Sequence, residues 1–67
     1  MSHVPFPVIA KHDIRQGRSL IEKGTCGEII GISGTTPCYY SVIFWPHGAD
    51  GTFVRFDYLT RYDVREA

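Results

Sequence analysis

Apolar positions in this chain fall in short clusters separated by Gly, Pro and Asp, and no segment carries a sustained stripe at helical spacing. The clusters predict short strands: "PFPVIAKH" over 5–12, "GEIIGI" over 27–32, "CYYSVIFWP" over 38–46, "TFVRF" over 52–56 and "TRYDV" over 60–64. Residues 57–59, "DYL", read as a short helical turn. Pro5 and Pro7 confine pairing of the first strand to an edge or to its later half, because proline has no N–H to give a ladder. The one helix-compatible piece, "DIRQGRSLIEKG" over 13–24, is interrupted by Gly17 and closed by Gly24. An interior glycine costs a helix about 1 kcal/mol, so this segment is expected to be a long loop between the first two strands. "EKGTCG", "SGTTP" and "PHGADG" are turn signals, and Gly27 or Gly31 allows a bulge or sharp bend in the second strand.

The stretch 38–46 departs from simple alternation. Successive side chains of a strand point to opposite faces. One parity here is Tyr40, Val42, Phe44, and the other is Tyr39, Ser41, Ile43, Trp45. Only Ser41 is plainly polar, so both faces of this strand ask for cover.

Composition narrows the setting. Sixty-seven residues make one small domain, 1–67, with residues 1–5 expected to be mobile. At 43% apolar residues, with four Tyr, four Phe and one Trp, the chain can build a compact core but has little to leave exposed. Seven basic residues balance seven acidic ones. Bulk gripping of nucleic-acid phosphates calls for a basic excess, which is absent, while zero net charge permits self-association. The first residues show no basic region followed by an apolar core and cleavage site, and no run of about 18 apolar residues occurs. The expected location is therefore the cytoplasm, with Cys26 and Cys38 as reduced thiols.

The order of signals resembles the small Src-homology-3-like β-barrels of bacteria, a group that includes KOW-type domains and stand-alone barrels of unassigned function. The resemblance rests on Gly24-x-x-Gly27 before the second strand, Tyr40-x-Val42-x-Phe44 in the third, and Asp57 before Leu59 after the fourth. It spans roughly residues 6–65. It implies an all-β fold, a small five-stranded barrel with a long loop between the first two strands. It carries no activity with it, since such barrels host unrelated roles, and the acidic loop of a proline-peptide receptor is not seen. It also implies that Tyr40, Val42 and Phe44 face the interior with Val8, Ile29, Val54 and Leu59. Tyr39, Ile43 and Trp45 then form an outer row, which Phe53 joins from the neighbouring strand.

That outer row is the candidate site. Three such side chains bury on the order of 450 Å², an upper bound of about 10 kcal/mol at 25 cal/mol per Å². Leaving them wet would forgo a term as large as the net stability of a small domain. Either the amino-terminal segment or the long loop covers them, or a protein partner does, most simply a second copy in a homodimer. The alternative is a nucleic-acid site, with Tyr39, Trp45 and Phe53 stacking bases while Arg55 and Arg61 meet phosphates. Metal binding finds little support. His3, His12, His47, Cys26 and Cys38 form none of the close pairs that place two ligands on one turn. Cys38, His47 and Asp50 can be named as a triad, but spacing alone gives them no geometry. The expectation is a non-enzymatic interaction or accessory module with no cofactor, no metal, no small-molecule substrate and no membrane span.

Overall fold

The computed structural model describes residues 5–35, 38–48 and 50–67. His3 and nearly all of the terminus expected to be mobile lie outside these residues, as do positions 36–37 of the "SGTTP" turn and 49 of the "PHGADG" loop. Seven strands follow one another: β1 (Phe6–Ala10), β2 (Ile14–Gln16), β3 (Ser19–Ile21), β4 (Cys26–Ser33), β5 (Tyr39–Phe44), β6 (Val54–Leu59) and β7 (Val64–Glu66). Five form an antiparallel sheet in the order β6-β5-β4-β1-β7, and β2 pairs with β3 in a separate hairpin. The chain is all-β, as expected. Among the described residues the strands number seven rather than five, and β6 and β7 stand as the two edges of an open ladder. Among the described residues no helix is long and apolar enough to cross a membrane.

The expected long loop is where the two extra strands lie. Gly17, read as a helix breaker, is the first residue of a two-residue turn between Gln16 and Ser19, at φ 59°. A positive φ at that position suits the primed turns that join twisted strands, and glycine adopts it without steric cost. Each hairpin strand is three residues long and contributes one fully inward residue, Ile14 from β2 and Ile21 from β3, which pair directly. Burying the two is worth roughly 1.5–3 kcal/mol each, and that seats the hairpin on the core. Three-residue strands are too short to show a period, so the sequence pattern hides them.

The sheet buries one face. Val8, Ala10, Ile29, Val42, Phe44, Phe56, Leu59 and Val64 join Ile14 and Ile21 in a single core, with Phe6, Tyr40 and Val54 packed against it. The rings of Phe44 and Phe56 meet edge to face at 5.7 Å. The inward parity Tyr40, Val42, Phe44 holds, Val42 and Phe44 being fully buried and Tyr40 half-buried. Pro7 sits inside the sheet, opposite Glu28. Its carbonyl takes the N–H of Ala67, one step past the last β1–β7 pair, Val8↔Glu66. The N–H it lacks faces that same side, where the ladder has ended.

The fourth strand differs from expectation in extent. It starts at Val54, so Thr52 and Phe53 precede it, and it continues through 57–59, the segment read as a helical turn. Phe56 and Leu59 explain why. Both are buried, yet residues three apart in a regular strand point to opposite faces. A register shift against β5, between Tyr40 and Val42, inserts the extra residue that returns Leu59 to the core. Tyr58 takes up the bulge at φ 62°, the only non-glycine positive φ among the described residues. A second shift lies in β4 between Ile29 and Gly31. The last strand is 64–66, after a turn at 60–63 where the sequence pattern places its beginning.

Candidate interaction surface

The outer face of β4, β5 and β6 is set by the register. Opposite Ile43 stand Glu28 on β4 and Arg55 on β6, and opposite Ser41 stands Gly31. Tyr39 pairs with Ser33 at one end of β5. At the other end the N–H of Trp45 donates to the carbonyl of Cys26 at 3.0 Å. Extending the Phe44↔Val54 pairing by one position puts Phe53 beside Trp45, beyond the last ladder pair. The six-residue step from Tyr39 to Trp45 is about 20 Å of strand, so the aromatic residues lie at two ends of the face.

The four expected surface residues are unequally exposed. Tyr39 is 38% exposed and Phe53 59%, whereas Ile43 and Trp45 are half-buried within the single chain. The middle of the face is polar and charged. Arg55 donates from Nε to Asp57 Oδ1 at 3.1 Å. The Ser41 hydroxyl and the Arg55 guanidinium beside it hold the Asp57 carboxyl below its ordinary value.

Tyr58, which sequence reasoning passed over, is the most exposed large aromatic side chain described, at 77%. Its ring meets the edge of Tyr39 with centroids 6.1 Å apart and planes at 76°. With Ser33, Tyr40, Ser41, Arg55 and Asp57 it lines a shallow concavity of about 270 Å³. The signal that could have located it is the apolar pair Phe56 and Leu59, whose spacing demands a bulge between them.

The arginines named for phosphate contact sit in different places. Arg55 is on β6 beside Asp57. Arg61 is in the β6–β7 turn, where its guanidinium lies 5.2 Å over the Tyr62 ring and donates to the Tyr62 hydroxyl at 3.2 Å. That contact raises the pKa of Arg61 and lowers that of Tyr62.

Cys26 and Cys38 are free thiols. Cys38 donates to the carbonyl of Thr35. It precedes β5, while His47 follows it, at opposite ends of a strand about 20 Å long. The triad Cys38, His47, Asp50 is therefore not brought together. Among the described residues no three His, Cys, Asp or Glu side chains gather in a metal-holding group. No protein-family model, curated protein or solved structure matches this chain.

Proposed function

We propose that this chain is a cytoplasmic, non-enzymatic interaction module of the Src-homology-3-like kind, which associates through the outer face of β4, β5 and β6. What supports the architecture is that β1 pairs with both β4 and β7, that β4 is long and bulged, and that a hairpin occupies the connection between β1 and β4. What carries the functional reading is the exposed pair Tyr39 and Tyr58. Two large rings stand edge to face in solvent at one end of the outer face, and Phe53 is exposed at the other. Exposed tyrosines suit a protein surface, and Arg55 is already paired with Asp57 rather than free for a phosphate.

The simplest partner is a second copy, since zero net charge offers no repulsion between chains. Sedimentation velocity across a dilution series, with Trp45 emission followed in parallel, tests this. A dimer at high concentration that Tyr39→Ser dissociates without unfolding is the expected result. A monomer at all concentrations rejects the self-associating form. The nucleic-acid alternative predicts Trp45 quenching by single-stranded oligonucleotides at low salt, reversed as salt rises.

A further inference from the structure

His12, in the connection between β1 and β2, holds two oxygens at once. Its Nδ1 lies 2.8 Å from the carbonyl oxygen of Asp13, and its Nε2 lies 2.9 Å from Oδ1 of Asp63 in the β6–β7 turn. A carbonyl and a carboxylate can only accept, whereas a neutral imidazole carries one N–H and one bare nitrogen. Either neutral tautomer leaves one contact with two lone pairs facing each other. With the nitrogens so placed, only the imidazolium donates both bonds.

Both partners are fixed by other bonds. Asp63 Oδ2 accepts from the N–H of Thr60 at 2.8 Å and from its hydroxyl at 3.2 Å, so the carboxylate is held in place. Asp13 Oδ1 accepts the N–H of Lys23 at 2.8 Å, which ties the two ends of the β2–β3 hairpin together. His12 thus bridges the root of the hairpin to the turn that precedes β7. The charged groups facing it are Asp63 from the turn and Asp13 from its own connection, and both favour the cation. Nearby, the Lys11 ammonium is directed to the Arg61 carbonyl, and the Lys11 N–H holds the Asp63 carbonyl at 2.8 Å.

We propose that His12 is a proton-operated latch, which as imidazolium donates to Asp13 at the root of the β2–β3 hairpin and to Asp63 in the β6–β7 turn, and which on losing its proton must give up one of these two bonds. The backbone bond from Lys11 to Asp63 survives that release, so the hairpin loosens without the sheet coming apart. Linkage gives the sign. The bond to the Asp13 carbonyl and the charge of Asp63 raise the folded-state pKa above the ring's ordinary value. The stabilisation is complete below the unfolded pKa and is lost as pH rises through the folded one. The latch therefore closes in mild acid and opens as pH rises through the raised folded-state value. It stands whether or not the outer face binds a partner.

Proton NMR of the whole chain tests it, following the His12 ring and the exchange of the Lys23 amide between about pH 5.5 and 8. The expected result has two parts. His12 titrates above its value in the urea-unfolded chain. Lys23 protection, corrected for intrinsic exchange, falls about two-fold or more across that range in the wild type and stays level in His12→Ala. A His12 ring that titrates at or below its unfolded value overturns the proposal. So does a raised value with pH-independent protection at Lys23, which would make the contact a local ion pair and no latch.

Discussion

Gln16 on β2 holds the backbone of Asp57 on β6 by both of its polar groups. The side-chain amide donates to the Asp57 carbonyl, and its oxygen accepts the Asp57 N–H at 3.2 Å. A single side chain thereby does what a neighbouring strand would do, at the point where the edge strand β6 bulges. An open edge offers unpaired N–H and C=O groups to other chains, and covering them is one of the ways natural sheets avoid stray pairing. The bond pair also joins the hairpin to the sheet at a second place, two residues along β2 from the hydrophobic contact of Ile14 and Ile21.

Gln16→Ala should therefore loosen the bulge more than it weakens the fold. Two exposed hydrogen bonds are worth about 0.5–1.5 kcal/mol each at most, and water replaces both in the variant. The amide of Asp57 is expected to lose hydrogen-exchange protection while the denaturation midpoint moves only slightly. Gln16→Glu keeps the acceptor and loses the donor, and it sets a second carboxylate near Asp57, so its loss should grow as pH rises through the carboxylate range. Unchanged Asp57 protection in both variants would show that the pairing is not formed in solution.

Tyr58 offers a way to separate binding from folding. A non-glycine residue in the left-handed region costs roughly 1–2 kcal/mol, and glycine there removes that strain. The replacement gives back about 0.5–1 kcal/mol in unfolded-chain entropy and forfeits an aromatic pair with Tyr39 of about 0.5–1.5 kcal/mol. Tyr58→Gly should consequently change stability by less than about 1 kcal/mol, whereas truncating the fully buried neighbour, Phe56→Ala, should cost about 3–5 kcal/mol. Urea titration measures both. If the outer face associates as proposed, Tyr58→Gly weakens association at nearly native stability. A large stability loss would mean that the ring is part of the fold.

How much of this was legible in the sequence depends on how long each pattern runs. The parity of Tyr40, Val42 and Phe44 could be read because three alternating positions precede a proline, and Ile29 and Val8 lie on the same core face. The β2–β3 hairpin could not, because three residues per strand leave one buried position each and Gly17 looks equally like a broken helix. "DYL" looks like a helical turn for a related reason. A bulge shifts Phe56 and Leu59 to a spacing of three, which is the spacing a helix uses for one face. For the outer face, sequence parity located Tyr39, Ile43 and Trp45 together. It could not show that Ile43 and Trp45 are half-covered, since exposure depends on neighbours distant in the chain. Gln16 carries no pattern at all, and its role comes from the tertiary fold; Tyr58 is marked only by the spacing of Phe56 and Leu59, which one face of a helix would share.

Acid should act on the other side of the same bulge. Asp57 has its folded-state pKa lowered, first by the Ser41 hydroxyl and then by Arg55. A depressed carboxylate contributes stability that is present above the unfolded value and is lost as pH falls through the folded one. Stability is expected to decline on acidification below the ordinary carboxylate range, and Asp57→Asn should flatten that part of the profile. The group is solvent-exposed, so the slope also shrinks in high salt. Thermal midpoints measured from pH 6 downward, at low and high salt, would show it; parallel profiles for wild type and Asp57→Asn would count against the assignment.

Gly27 fills a position in the sheet that no other residue can occupy unchanged. A Cβ built there would stand 2.5 Å from the carbonyl oxygen of Ile43 and 2.7 Å from Cδ1 of Phe44. The first contact is backbone and the second is a fully buried ring, so neither can swing aside. Gly24 belongs to the same Gly-x-x-Gly spacing for a different reason, a turn at φ 91° with open space around it. The two substitutions should therefore behave differently. Gly24→Ala costs about 1–2 kcal/mol in backbone strain and leaves the core packing alone. Gly27→Ala forces β4 and β5 apart or displaces Phe44, an overpacking cost of about 1–3 kcal/mol or more. It should also disturb the Phe44–Phe56 contact, visible as shifts of both ring resonances. If Gly27→Ala folds with native stability and unshifted Phe44 and Phe56 signals, the close approach of β4 to β5 at this point is wrong.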